Sequence, residues 1–159
     1  MNIIIVAVGK IKEKYLKMGI DEYAKRLKRY CNINIIEVAD EKAPENISLK
    51  EMEIIKKTEG EKILRHFRRG IYKIALCIDG TEMSTAKMSS MIREFGINGT
   101  SNIMFVIGGS LGLWSGVVKE CDFKLSFSKL TFPHQLMRLI FLEQIYRCFK
   151  IINNEPYHK

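Results

Sequence analysis

Runs of apolar residues alternate along the chain with stretches in which apolar residues recur every three or four positions. Asn2–Val8 is a short β-branched run closed by Gly9, the pattern of a strand buried on both faces. From Glu13 to Tyr30 the apolar residues Tyr15, Leu16, Ile20, Tyr23, Leu27 and Tyr30 form one helical stripe, with lysines and arginines opposite. Asn32–Val38 reads as a second strand, and the acidic stretch Asp40–Asn46, containing Pro44, as a surface loop. Ser48 with Glu51 three residues later is a capping box that opens a helix running to Gly70. Gly60 inside it costs about 1 kcal/mol relative to alanine and predicts a kink or a break.

The second half repeats the alternation. Tyr72–Ile78 is a strand ending in Asp79-Gly80, Ser84–Phe95 a helix, and Asn102–Ile107 a very apolar strand ending in Gly108-Gly109. A weak helix over Trp114–Glu120 leads to a strand at Phe123–Phe127, and Pro133 opens a final helix reaching Asn153. The order β-α-β-α-β-α-β-α-β-α predicts an α/β fold: one domain over residues 1–159, with a mostly parallel sheet and helices on both faces. The last helix is apolar nearly all the way round. That excess predicts a homodimer interface through the C-terminal helix, or burial of both faces within one domain.

Composition narrows the class. Apolar residues make up 47% and charged residues 28%, as in a folded globular protein. No apolar run is long enough to span a bilayer, so no membrane association is expected. Cys31, Cys77, Cys121 and Cys148 form no C-x-x-C pair and have no histidine at ligand spacing, which fits a reduced, cytoplasmic protein without a metal. Cys77 and Cys148, inside apolar segments, read as inert thiols.

The net charge of +8 is unevenly distributed: residues 10–29, 62–73 and 124–159 carry +5, +5 and +4, whereas 37–61 and 74–123 carry −4 and −2. Such clusters suit a polyanion such as RNA; charge alone fits ordinary solvated helix faces as well.

Three segments carry candidate chemistry. Residues 108–112 (GGSLG) follow a strand, where glycines admit a ligand close to the backbone or simply make a tight turn. The segment is neither a P-loop nor G-x-G-x-x-G. Residues 126–135 (SFSKLTFPHQ) form a polar loop between a strand end and a helix start. With the ends of the strands at Leu76–Asp79 and Ile107–Gly109, its residues Phe127–Phe132 predict one cleft for a small cofactor. The terminal EPYHK (155–159) pairs a tyrosine with a histidine, which can stack on a base and move a proton, or be an inert tail. No G-x-S-x-G elbow supports a hydrolase.

Taken in order, these segments resemble the RlmH family of ribosomal RNA large-subunit methyltransferases, in the SPOUT superfamily. The resemblance covers the whole chain, from IIIVAVGK (3–10) through EGEKIL (59–64), and is most specific in FVIGGSLG (105–112), LSFSKLTFPHQL (125–136), EQIYR (143–147) and PYHK (156–159). It implies a SPOUT fold with a C-terminal trefoil knot, a dimer, and S-adenosyl-L-methionine held at Leu76, Gly108 and the loop Phe127, Ser128, Lys129, Leu130, Thr131 and Phe132. The implied substrate is a pseudouridine in helix 69 of 23S rRNA, methylated at N3 in the assembled ribosome.

Two departures stand out: residues 79–85 (DGTEMST) lack the Arg-Gly-Lys common in relatives, and Phe127 and Leu130 replace the usual leucine and methionine. Tyr157 and His158 are the expected catalytic pair, positioning the base or helping to remove its proton. Arg138, Arg147, Arg65, Arg68 and Arg69, with the basic face at Lys25–Arg29, are candidate phosphate contacts; Arg147 could instead pair with Glu143 four residues before it. A non-catalytic RNA-binding protein would leave the two loops unexplained, and a SPOUT enzyme of transfer RNA would leave the tail unexplained.

Overall fold

The computed structural model describes residues 1–157. Five strands, β1 (Asn2–Val8), β2 (Asn32–Val38), β3 (Tyr72–Glu82), β4 (Asn102–Ile107) and β5 (Phe123–Ser126), form one sheet in the order β2-β1-β4-β3-β5. All four pairings are parallel, as the alternation predicts. The order is consistent with the knot that the family resemblance implies.

Alternate residues of the central strands point to opposite faces and define two cores. Ile3, Ile5, Ile103 and Phe105 meet helices α1 (Lys14–Leu27), α3 (Thr85–Ile97) and α5 (His134–Ile152) on one face. Val6, Val8, Met104 and Val106 meet α2 (Leu49–Leu64) and the short α4 (Ser115–Lys119) on the other. At the amino edge the Asn2 amide donates to the Asn102 side chain at 2.8 Å and the Asn32 amide to that of Asn2 at 3.0 Å, tying three adjacent strands in register.

Three expectations need correction. Helix α2 is unbroken at Gly60: an added Cβ there would come within 2.9 Å of the Trp114 side chain, so the glycine makes room for that ring instead of bending the helix. The helix ends at Leu64 rather than Gly70, followed by turns that close at Gly70 with φ +75°. Strand β3 does not stop at Ile78 but resumes to Glu82. Its register against β5 slips so that both Leu76 and Thr81 lie opposite Leu125, and residues 77–80 bulge out. Gly80 allows this, since a Cβ there would stand 2.7 Å from the Leu125 carbonyl carbon.

Helix α5 is the middle element of its layer, packed between α1 and α3. None of its residues is exposed, which accounts for much of its all-round apolar character within one chain. Phe141, fully buried, stands 4.5 Å from the Phe105 ring and 5.9 Å from Phe127, joining the helix to β4 and to the loop after β5. Phe141→Ala should cost about 3–5 kcal/mol of unfolding free energy. A urea titration in which its midpoint stayed at the wild-type value would contradict this packing.

Candidate active site

The carboxyl ends of β3, β4 and β5 surround a cavity of about 650 Å³, within the range of small-molecule sites. Its walls are the bulge after Leu76, the turn 108–112 and the loop 127–133, closed by the first residues of α5. Three strand ends read separately from the sequence thus line one cleft. Leu76, Gly108, Phe127, Ser128, Leu130, Thr131 and Phe132 all face it. Lys129 does not: it is exposed and absent from the lining.

Backbone approach shapes this site. Gly108 is buried where a Cβ would stand 2.6 Å from the Gly112 carbonyl carbon. The Gly112 N–H donates to the Gly109 carbonyl at 3.1 Å and Gly112 adopts φ +82°, so the glycine segment is both a tight turn and a wall of the cavity. Beneath it lies Glu59, 5% exposed, accepting the Glu41 N–H; burial holds its carboxyl above the ordinary range. In the loop after β5, Ser126 donates its hydroxyl to the Ser128 carbonyl, and the Leu130 N–H donates to the Ser128 hydroxyl.

Sequence reasoning missed His134 and Met137, which bring α5 into the cavity lining. Burial and the nearby Arg138 charge hold the His134 imidazole below its ordinary pKa. Asp40 approaches the same place: a Cβ on Gly9 would be 3.6 Å from both His134 Nε2 and the Asp40 carboxyl carbon. The exposed Lys10 and Lys12 flank this spot, and the Lys12 N–H donates to the Gln135 side chain at 2.9 Å. A basic pair placed directly after a strand-ending glycine was the available signal.

Arg138 is not a surface phosphate contact. Its side chain is 2% exposed and its guanidinium donates to the carbonyls of Val8 and Gly9 and, at 2.8 Å, to Glu37. Its Nε–H finds no partner among the described residues. Arg147 makes the i,i+4 pair with Glu143 and lies 4.9 Å over the Tyr157 ring. Arg65, Arg68 and Arg69 are exposed, but on the turns before β3 at the amino edge of the sheet, roughly 20 Å of strand from the cavity.

Tyr157 also stands away from the cavity. It sits 3.3 Å from both the Tyr23 hydroxyl and the Glu143 carboxylate, and the Tyr23 hydrogen bond and burial push its pKa well up. Glu155 accepts from Tyr30 and Lys150, fastening the tail beside the end of α1. His158 lies outside the described residues. The four cysteines are free; burial pushes Cys31, Cys121 and Cys148 up to about 12 and Cys77 to about 11, which keeps them as thiols. Among the described residues no helix is long and apolar enough to cross a membrane.

A parallel α/β sheet with a glycine-walled cavity at its carboxyl edge has that cavity where open α/β folds bind small ligands. A probable methylase family protein from Haemophilus influenzae Rd KW20 shares the fold, with a TM-score of 0.50 over 96% of this chain and 66% of that one, at 14% identity. The family described as "Predicted SPOUT methyltransferase" matches residues 1–158. Proteins named ribosomal RNA large subunit methyltransferase H from Clostridioides difficile (strain 630) and Alkaliphilus oremlandii (strain OhILAs) are each 58% identical over all 159 residues, covering both chains completely. The chain belongs to the SPOUT methyltransferases and, within them, to the ribosomal RNA large subunit methyltransferase H (RlmH) family.

Replacing Arg138 by methionine keeps bulk but strands two carbonyls and Glu37. The variant should lose about 3 kcal/mol of stability in chemical denaturation. A loss below about 0.5 kcal/mol, the range of ordinary surface substitutions, would show that the buried guanidinium is dispensable.

Proposed function

We propose that the chain binds S-adenosyl-L-methionine in the cavity and transfers its methyl group to N3 of a pseudouridine in helix 69 of 23S rRNA, in the assembled ribosome of the cytoplasm. The observation that carries this reading is the convergence of Leu76, Gly108 and the loop 127–132 on one cavity of nucleoside-cofactor size. The walls suit that ligand. They are mostly apolar side chains and backbone, and among the described residues they include no lysine or arginine to repel a sulfonium and no carboxylate to trap it as an ion pair. Phe127 and Leu130, which replace the leucine and methionine usual in the family, keep the loop apolar and leave its backbone groups available.

Transfer requires the nitrogen, the methyl carbon and the sulfur in line, together with an acceptor for the N3 proton. The tail supplies part of this site as a homodimer arrangement. Within one chain Tyr157 rests against Glu143, nine residues along α5 from His134, so roughly 13 Å of helix rise separates it from the cavity mouth. A second copy, docked along α5 and the exposed Leu130 and Phe132, brings its Tyr157 and His158 over this cavity to position the base or help remove its proton. Tyr157 acts there as a phenol that donates or stacks. Arg147 orients it, and Arg65, Arg68 and Arg69 contact rRNA phosphates beyond the target nucleotide.

Calorimetric titration with S-adenosylmethionine should give one saturable site per chain, and Gly108→Ala should abolish it by forcing the turn away from β4. Absence of binding by the wild-type protein would favour a non-catalytic RNA-binding role. For the tail, His158→Ala should lower the methyl-transfer rate far more than cofactor affinity; unchanged turnover at saturating substrate would remove His158 from the mechanism.

A further inference from the structure

Methyl transfer to a ring nitrogen that bears hydrogen leaves one proton to be placed, and the cavity offers few takers. Among the described residues, the lining that one chain supplies contains two titratable side chains, Cys77 and His134. Cys77 is held as a thiol up to about 11 by burial, and a thiol is a poor proton acceptor. His134 remains. It is the first residue of α5, fixed by the helix behind it and half-buried at the mouth where the cavity meets the loop carrying Lys10 and Lys12. A polynucleotide drawn to those lysines would present its target base between them and the cofactor.

We infer that His134 is a further catalytic residue of this site, the group that accepts the proton from the nucleobase nitrogen during methyl transfer. The inference rests on the methyltransferase reading above. The nitrogen–hydrogen electron pair stays on the nitrogen, whose lone pair forms the new bond to the methyl carbon as the carbon–sulfur bond breaks. The sulfonium leaves as a neutral thioether, the proton moves to the imidazole, and no oxidant or reductant is needed.

The surroundings suit this role. Charged groups face His134 from three elements: Arg138 one turn along α5, Lys12 in the loop after β1, and Asp40 after β2. Burial first, then Arg138 and Lys12, disfavour the imidazolium and Asp40 favours it; the balance lowers the pKa of the ring, which rests neutral near pH 7 and open to a proton. Asp40 is placed to stabilise the charge as it forms. Arg138, bound to the Val8 and Gly9 carbonyls, holds the backbone that faces the ring.

The test uses the full-length protein, S-adenosylmethionine and ribosomes purified from cells that lack this methylation. His134→Gln should bind S-adenosylmethionine within about threefold of wild type, while the single-turnover rate at saturating cofactor and ribosome falls on the order of a hundredfold. The wild-type rate should rise with pH along a limb centred below 6.5, the ordinary histidine value. That limb should vanish in His134→Gln, and free imidazole should restore part of the rate of His134→Gly.

A rate within threefold of wild type with the limb intact would overturn the assignment. So would disappearance of the limb in His158→Ala but not in His134→Gln, which would place the proton on the tail. Loss of cofactor binding in His134→Gln would make His134 a binding residue and overturn its role as proton acceptor. Failure of the wild-type protein to bind S-adenosylmethionine would instead overturn the functional reading on which this rests.

Discussion

The structure turns on one buried cation. Arg138 enters a layer made almost entirely of apolar side chains and spends its guanidinium on the Val8 and Gly9 carbonyls and on Glu37. Moving such a group out of water is costly unless it is paired and hydrogen-bonded, and even here one N–H has no partner among the described residues. What the arrangement secures is position. It pins the second turn of α5 to the carboxyl ends of β1 and β2, which fixes where the helix begins and therefore where the loop 127–133 and His134 stand. The same positive charge helps keep that histidine neutral.

Around this anchor the cavity is defined as much by missing side chains as by present ones. Gly108 and Gly80 each occupy a place where a Cβ would meet backbone within 2.7 Å, so the chain closes upon itself there without being filled. The bulge at Gly80 carries Cys77 and Ile78 to one wall, and the turn at Gly112 makes the opposite one. A site walled by backbone and apolar groups recognises shape and offers hydrogen bonds without fixed charge. That suits a ligand whose own charge must change during the reaction.

How much of this the sequence disclosed depended on the range of the interaction. Strands β1 and β4 end where their apolar runs end, since burial on both faces writes itself into consecutive residues. The cleft was legible because ligand loops sit at parallel strand ends, a rule that needs only element order. Gly60 was misread because its reason is Trp114, fifty-four residues away, and local propensity contains no trace of that contact. Arg138 was misread likewise: an arginine on a helix is usually solvated, and nothing within a few residues reveals three acceptors near positions 8, 9 and 37. The resemblance to RlmH proteins, by contrast, named residues of the loop after β5 that line the cavity, all but Lys129, which is exposed.

The direction of α5 is the remaining constraint, and it is what the proposed pairing of two chains rests on. The helix begins at the cavity, runs back toward the amino edge, and there its tail is fastened to Tyr23 of α1 and to Tyr30 in the turn after it. A tail so anchored cannot serve the cavity of its own chain without surrendering those contacts and bridging most of the helix length. In a twofold assembly with α5 antiparallel to its mate, the tail end of one helix lies beside the cavity end of the other, and both tails keep their anchorage. In the proposed dimer the work is divided between chains: one contributes the cavity and His134, the other the aromatic and basic groups at the end of α5. Neither end of the helix needs to move for the site to be complete.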